Sequence, residues 1–294
     1  MKRQVVSTSS SGLDYLDVKH NIELIRLRIY VNNVEFIDGK NITDASLRDL
    51  MTQTTRPVRT APAPKTEVIE LFERLYEQGT KEIFVTTLSS KVSDSHSIIS
   101  KVASQFVGRM HIYVYDCKDL NICEAMLALE AEKLMAEGVS MADIAKRLDS
   151  IRANHKMLFA VEDLTYLINN KKLSGTAGFF ANMLSIKPVL QVNDAGEVLP
   201  VNKIRKFDRA AKYIVDELAE TLRRPDSFAY ILSMGRPTLD NQMQALIQER
   251  VGISKPLPVM PVSAISLANH GPTGVALCVC KGEIPHAAKM LNFV

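Results

Sequence analysis

The sequence has no tryptophan, and aromatic residues make up only 6% of it. Stacking platforms for nucleic-acid bases need such rings. The formal charge of +3, with both signs mixed along the chain, supplies no basic patch in their place. Nucleic acid is therefore not expected as a partner. No stretch approaches the roughly 20 apolar residues of a membrane span. The opening MKRQVVSTSSSG carries two basic residues but no apolar run of signal-peptide length. The four cysteines, Cys117, Cys123, Cys278 and Cys280, form no CxxC pair and have no His-rich neighbourhood, which argues against a zinc site. The simplest expectation is a cytoplasmic protein with no metal and no cofactor.

Glycine-rich signatures are also missing. There is no GxGxxG for a dinucleotide and no GxxxxGK[ST] for a nucleotide phosphate. There is no GxSxG nucleophile elbow either.

What is present is 46% apolar residues over 294 positions, enough for a sizeable core. In the first half, short apolar runs (RQVVST, EIFVTTL, HIYVYD) alternate with helical periodicity (TDASLRDLMTQ, TEVIELFERLYEQG, ICEAMLALEAEKLMAEG). That alternation predicts a mainly parallel sheet covered by helices. IELIRLRIYV reads as one half-exposed strand and VEFIDG as a strand ending in a turn. TTRPVRTAPAPKTE reads as an extended loop stiffened by proline. In the second half, KPVLQVNDAGEVLPVNKI predicts a hairpin around Asp-Ala-Gly. KMLFAVE, SFAYILSM, LPVMPVS and GVALCVC predict further strands, and DLTYLINN, TAGFFANML, FDRAAKYIVDELAETLRR and TLDNQMQALIQERV predict helices. The second half therefore reads as a mixed or antiparallel sheet with helices on one face. The expected boundary lies near residue 155, giving units 1–155 and 156–294.

Hydroxyls crowd one place, VTTLSSKVSDSHS at residues 85–97, where a strand gives way to a helix. Ser93 or Ser95 could simply cap the helix. A catalytic serine there lacks its flanking glycines, and His96 lies only three residues from Ser93. The third reading is an anion socket, because ligands of open α/β sheets bind at the carboxyl ends of strands and helix N-termini attract negative charge. Ser89 and Ser90 belong to the same cluster. Thr60 in VRTAPAP is held by a proline-rich loop, and Asn269 and His270 precede the turn GPTG. FFANMLSIKPVL suits either a packed core or the wall of an apolar pocket.

Taken in order, these stretches resemble the DegV family of bacterial fatty-acid-binding proteins, which includes the FakB subunits of fatty acid kinase. VVSTSSSGL resembles the family's V-T-D-S-(S/T)-A-D-L, RTAPAP its T-S-Q-P-S-P, and TTLSSKVSDSH its I-S-S-x-L-S-G-T-Y. FAVEDLTYLINNKKLS is similar to V-D-D-L-x-Y-L-x-x-G-G-R-I-S, and LSIKPVLQVNDAGEV to L-x-I-K-P-I-L-x-x-x-D-G-x-I. IRKFDRA falls at R-T-x-x-K-A and ANHGPTGVAL at A-H-x-G-P-G-A-L. The chain departs from these patterns at Thr8 (for the acid), Asp94 (for Gly), Asn269 (for His, with His270 adjacent) and Asn170–Ser174 (for G-G-R-I-S). Asp94 would oppose a carboxylate unless it points away or caps the helix.

The resemblance implies two α/β domains with a long-chain fatty acid in the cleft between them. Its carboxylate would be held from the first domain by Thr60 and Ser93, with Ser89, Ser90, Asn269 and His270 nearby. Its acyl chain would run into the second domain. Arg205 would act near the head group or on a partner surface. The implied function is a carrier with no catalytic residue of its own, presenting the carboxylate to a separate kinase subunit and touching membranes only transiently. The alternatives are a phosphoryl- or acyl-transfer enzyme using His96, and a family member sensing some other acidic lipid.

Overall fold

The computed structural model describes residues 2–54, 57–174 and 186–294. In the first half, β1 (Lys2–Thr8), β2 (Glu23–Ile25), β6 (Thr80–Thr87) and β7 (His111–Asp116) form a parallel sheet of order β2-β1-β6-β7. Alternate side chains serve its two faces. Val6, Ile83 and Val85 pack under α2 (Lys65–Glu77) and α3 (Ser95–Ala103), on Phe72, Leu75, Ile99 and Val102. Val5 and Phe84 face α4 (Ile122–Ala136) and α5 (Met141–Ala153).

The stretch IELIRLRIYV is two strands rather than one. It breaks at Arg26 and Leu27 because side chains take the backbone groups a continuous strand would pair. Arg28 donates to the Arg26 carbonyl (2.8 Å), and the Leu27 amide donates to Ser9 Oγ (3.1 Å). Beyond the break, β3 (Arg28–Val31) joins a separate antiparallel sheet of order β4-β3-β5 with β4 (Val34–Ile37) and β5 (Arg59–Ala61). The proline-rich loop thus contains a short edge strand, the place in a sheet where flanking prolines are tolerated. Thr43 caps α1 (Asp44–Gln53) in a reciprocal capping box with Ser46.

The second sheet has the order β10-β9-β8-β13-β11-β12. Its strands are β8 (His155–Val161), β9 (Val189–Val192), β10 (Val198–Asn202), β11 (Ser227–Ser233), β12 (Val259–Pro261) and β13 (Gly274–Lys281). Pairing is antiparallel except for β11 with β12. The short helix α6 (Thr165–Asn169) follows β8. One face is covered by α7 (Phe207–Leu222) and α8 (Pro237–Val251), as Ile214, Leu218, Met243 and Ile247 meet Leu158, Ile231 and Leu277. The other face, with Met157, Phe159, Tyr230 and Cys278, shares a hydrophobic cluster with α4, α5, α9 (Ala264–His270) and α10 (His286–Met290). The sheets therefore divide along the chain at His155, while this cluster runs across the division. The segment TAGFFANML lies outside the described residues.

Helix α4 is the central element. Ten consecutive residues, Ile122 to Ala131, are buried, as in a helix surrounded on all sides. Its one fully enclosed acid, Glu124, accepts from Ser7 Oγ (3.2 Å), the Thr8 amide (3.2 Å), the Thr8 hydroxyl and Ser10 Oγ (2.6 Å). These bonds ease its burial, but desolvation wins and pushes the carboxyl up from 4.5 to about 8. Asp38, also enclosed, is pushed up from 3.8 to about 7 by desolvation.

The hairpin between β9 and β10 docks back on the first half. Its tip, Gly196, sits at φ +85° and accepts the Ser89 hydroxyl on its carbonyl (2.7 Å). A Cβ there would collide with Ser89 Oγ and lie 3.0 Å from Lys118 Cα. Gly196→Ala is expected to lower stability by about 1–3 kcal/mol, from backbone strain and overpacking, measurable by urea denaturation.

Glu124 generates a pH-dependent expectation. The folded state keeps a proton that the unfolded chain gives up between about pH 4.5 and pH 8. Its stabilising share is full below about pH 4.5 and is lost as pH rises through about 8. Asp38 acts in the same direction up to about pH 7. Melting temperature should therefore fall across this range, and Glu124→Gln, neutral at every pH, should flatten the decline.

Candidate functional site

Strands β1, β6 and β7 end at one edge of the parallel sheet. The turns that follow bring Ser10, Leu88, the segment Ser90–Asp94, Leu120 and Asn121 to one place. Opposite them stand Thr60 and Pro62 from the end of β5, Asn170–Lys172 after α6, and Ile265, Ser266, Asn269 and His270 from α9. Between these groups lies a cavity of about 330 Å³. That is within the roughly 300–1,000 Å³ typical of small-molecule sites. Leu27, Leu88, Val92, Leu167, Val198 and Ile265 supply its apolar walls.

The structure brings together five of the seven residues singled out from sequence: Thr60, Ser90, Ser93, Asn269 and His270. Thr60 is held on both backbone and side chain. Its amide donates to Asn170 Oδ1 (3.0 Å), and its hydroxyl donates to Asn269 Oδ1 (3.1 Å). Asn170 Nδ2 in turn donates to the carbonyls of Val58 (3.0 Å) and Tyr166 (3.1 Å), tying the Thr60 loop to α6. Asn269 is oriented by its own helix, since Nδ2 donates to the Ile265 carbonyl (2.8 Å).

Ser93 Oγ accepts the Ser95 amide (3.3 Å) and lies 2.9 Å from Ser95 Oγ. Ser93 lines the cavity and holds the Ser95 amide from a position before the helix, and neither Ser93 nor Ser95 is the N-cap of α3. Asp94 takes the N-cap position but makes no side-chain cap bond. It is exposed, and its charge acts on Lys172. Ser89 is buried, outside the lining, with its hydroxyl given to Gly196. Arg205 is exposed and is not among the described lining residues.

His270 is buried against Phe159, and its Nδ1 has no partner. Desolvation pulls its pKa down to about 4, so the ring is neutral near pH 7. Of the three lysines that line the cavity, Lys91 and Lys171 are exposed and Lys172 is partly buried. Its ammonium donates to the Val92 carbonyl (2.6 Å), and burial lowers its pKa, partly offset by Asp94.

Catalytic geometry around the hydroxyls is absent from the described residues. Ser93 pairs with Ser95, whereas His96 Nδ1 lies 3.3 Å from Thr87 Oγ1 and does not line the cavity. Metal-type donors converge at Asp119, Cys123 and His155, within 4.8 Å of one another. Both imidazole nitrogens are engaged there, Nδ1 with Asp119 Oδ2 (2.7 Å) and Nε2 with the Tyr230 hydroxyl (2.9 Å). The cluster is a closed polar relay between the β7–α4 turn and the second sheet. The cysteines are all free and buried.

Sequence reasoning missed Ser10, Asn121 and Lys172 as lining residues, and Asn170 as the clamp. Only Asn170 and Lys172 gave any signal, as departures from the G-G-R-I-S pattern.

Comparison with known proteins accords with this architecture. The family profile described as "Uncharacterised protein, DegV family" matches residues 2–282. The DegV domain-containing protein SA1258 of Staphylococcus aureus is 28% identical over 223 residues, 75% of this chain and 78% of that protein. The crystal structure of SAG1342 from Streptococcus agalactiae, a fatty acid binding DegV family protein, superposes with a TM-score of 0.85 at 19% identity, covering 96% of this chain and 100% of that one. DegV of Bacillus subtilis, a fatty acid binding protein, gives 0.82 at 22% identity with the same coverage. The fatty acid kinase B3 protein of Streptococcus pneumoniae, loaded with linoleic acid, gives 0.78 at 18%, again covering 96% and 100%. With its two α/β halves and a family match that spans nearly its whole length, the chain belongs to the DegV family.

Proposed function

We propose that this protein is a carrier that binds a long-chain fatty acid, or a similar acidic lipid, without covalent attachment. The observation that carries the reading is the cavity itself. Its lining combines apolar side chains with hydroxyl, amide and imidazole groups. A carboxylate removed from water needs several hydrogen bonds. Thr60, Ser90, Ser93 and Asn269 are the candidate contacts, with neutral His270 as a further donor or acceptor and Lys172 as counter-charge. The fatty acids bound by structural neighbours support the ligand class.

Ser10, Ser90, Ser93, Ser266 and His270 all line the cavity, but no serine is hydrogen-bonded to a histidine among the described residues, which favours a carrier over a transferase. The carboxylate would be presented to a partner kinase subunit. The exposed Lys91 and Lys171 at the cavity, and Arg205 on the outer surface, are the groups assigned to that approach. Ser89, whose hydroxyl is committed to Gly196, is assigned to holding the turn.

Native mass spectrometry of the purified protein should find a bound fatty acid, or uptake of added oleate after delipidation. A chain that arrives empty and stays empty would refute the reading. Thr60→Val combined with Ser93→Ala should weaken oleate binding, by about 1.5–3 kcal/mol for each charge-assisted bond lost.

A further inference from the structure

Thr60 lines the cavity together with two side-chain amides, Asn170 and Asn269. Its hydroxyl has one hydrogen and two lone pairs to place. Oγ1 stands 3.1 Å from Asn269 Oδ1 and 3.5 Å from Asn170 Oδ1. Both neighbours are amide oxygens, which only accept. The Thr60 hydrogen is therefore engaged inside the protein, and Oγ1 has lone pairs alone left for a ligand.

Neither amide can turn round to change this, because the bonds at its two ends fix its orientation. Asn269 Nδ2 donates to the Ile265 carbonyl (2.8 Å), one turn back along α9. Asn170 Nδ2 donates to the carbonyls of Val58 (3.0 Å) and Tyr166 (3.1 Å), while its Oδ1 accepts the Thr60 amide (3.0 Å). Flipping either side chain would set its oxygen against a carbonyl oxygen. Ser93 is different. Its Oγ accepts the Ser95 amide and lies 2.9 Å from Ser95 Oγ, which can be the donor of that pair. Ser93 can then turn its hydrogen to a ligand, whereas Thr60 can do so only by abandoning Asn269.

A carboxylate offers acceptors only. To bond Thr60 it must draw the hydrogen away from Asn269 Oδ1, which is left facing another oxygen with no hydrogen between them. The charged acceptor makes the stronger bond and can win, but part of the gain is lost. A neutral head group with its own O–H avoids that loss, since it donates to the lone pairs already present. We propose that Asn269 is a specificity-determining residue of this site. By holding the Thr60 hydrogen, it lowers the advantage of a carboxylate over a neutral hydroxyl head group on the same hydrocarbon chain. This rests on the fatty-acid reading above and deepens it.

The test is a double-mutant cycle on head-group preference. Dissociation constants of oleate and oleyl alcohol are measured near neutral pH, by displacement of a fluorescent fatty acid. The proteins are delipidated wild type, Asn269→Leu, Thr60→Val and the double variant. The readout is the ratio of the two constants, so a general loosening of the pocket, which acts on both lipids alike, cancels. Asn269→Leu nearly keeps the side-chain size and removes the competing acceptor. It should shift the ratio toward oleate by about 3- to 10-fold, the effect of one neutral hydrogen bond. In the Thr60→Val background the same substitution should leave the ratio unchanged. No shift in Asn269→Leu, or a shift toward the alcohol, would overturn the proposal. An equal shift with Thr60→Val present would overturn it too, because Asn269 would then act without Thr60. Should Asn269→Leu not fold, Asn269→Ala, which also lacks the acceptor, is read by the same outcomes. If wild type binds oleate and the ratio does not move, only this inference falls. If wild type binds no oleate, the carrier reading falls and takes this inference with it.

Discussion

Polar side chains enclosed between two sheets must find partners in one another, because water does not reach them. Nearly everything about this molecule follows from how that demand is met at the carboxyl edge of the parallel sheet. Ser7, Thr8 and Ser10 are gathered by Glu124. The β7–α4 turn is gathered by Asp119 and, through His155, tied to Tyr230 on the opposite sheet. Thr60 is gathered by Asn170 and Asn269. Buried groups left out of these networks include Asn121 and His270, and both line the same cavity.

The electrostatics of the cavity are mild for a site that would hold an anion. Lys172 is the one cation drawn inward among the described lining residues, and Asp94 opposes part of its effect. His270 is neutral near pH 7, and burial pushes the Glu124 carboxyl up to about 8. Retention of a carboxylate would then rest on hydrogen bonds and on burial of an acyl chain, not on a strong positive field. A carrier benefits from that balance, since a deeply buried ion pair is costly to break when the ligand must leave.

Much of the fold was legible in the sequence, and the reasons are local. Apolar runs such as EIFVTTL and GVALCVC have the length and boundaries of buried strands, and Thr43 before a periodic segment marks a helix start. The break at Arg26 and Leu27 was not legible, because it depends on Ser9 arriving from another segment. The site shows the same division. Thr60, Ser93, Asn269 and His270 sit in motifs with a recognisable order. Asn121, Ser10 and Glu124 meet only once residues 8–10 and 119–124 are folded together, and no spacing in the chain announces that meeting.

Thr8 shows how such a meeting can bring together groups that lie far apart in the sequence. The family's opening pattern carries an acid at this position, and here a hydroxyl stands in its place. The Thr8 hydroxyl bonds to Glu124, so a carboxyl from α4 lies against this position. The same carboxyl has a consequence for the cavity. Ser10 lines it and lies 2.6 Å from Glu124 Oε2. When Oε2 carries the proton, it donates to Ser10, and the serine hydrogen is free to point toward the cavity or to Thr8. When Glu124 is ionised, it needs that hydrogen for itself and withdraws a donor from the cavity while adding a like charge behind it. The upward push on this buried acid favours its neutral form, the form that opposes an anionic head group least.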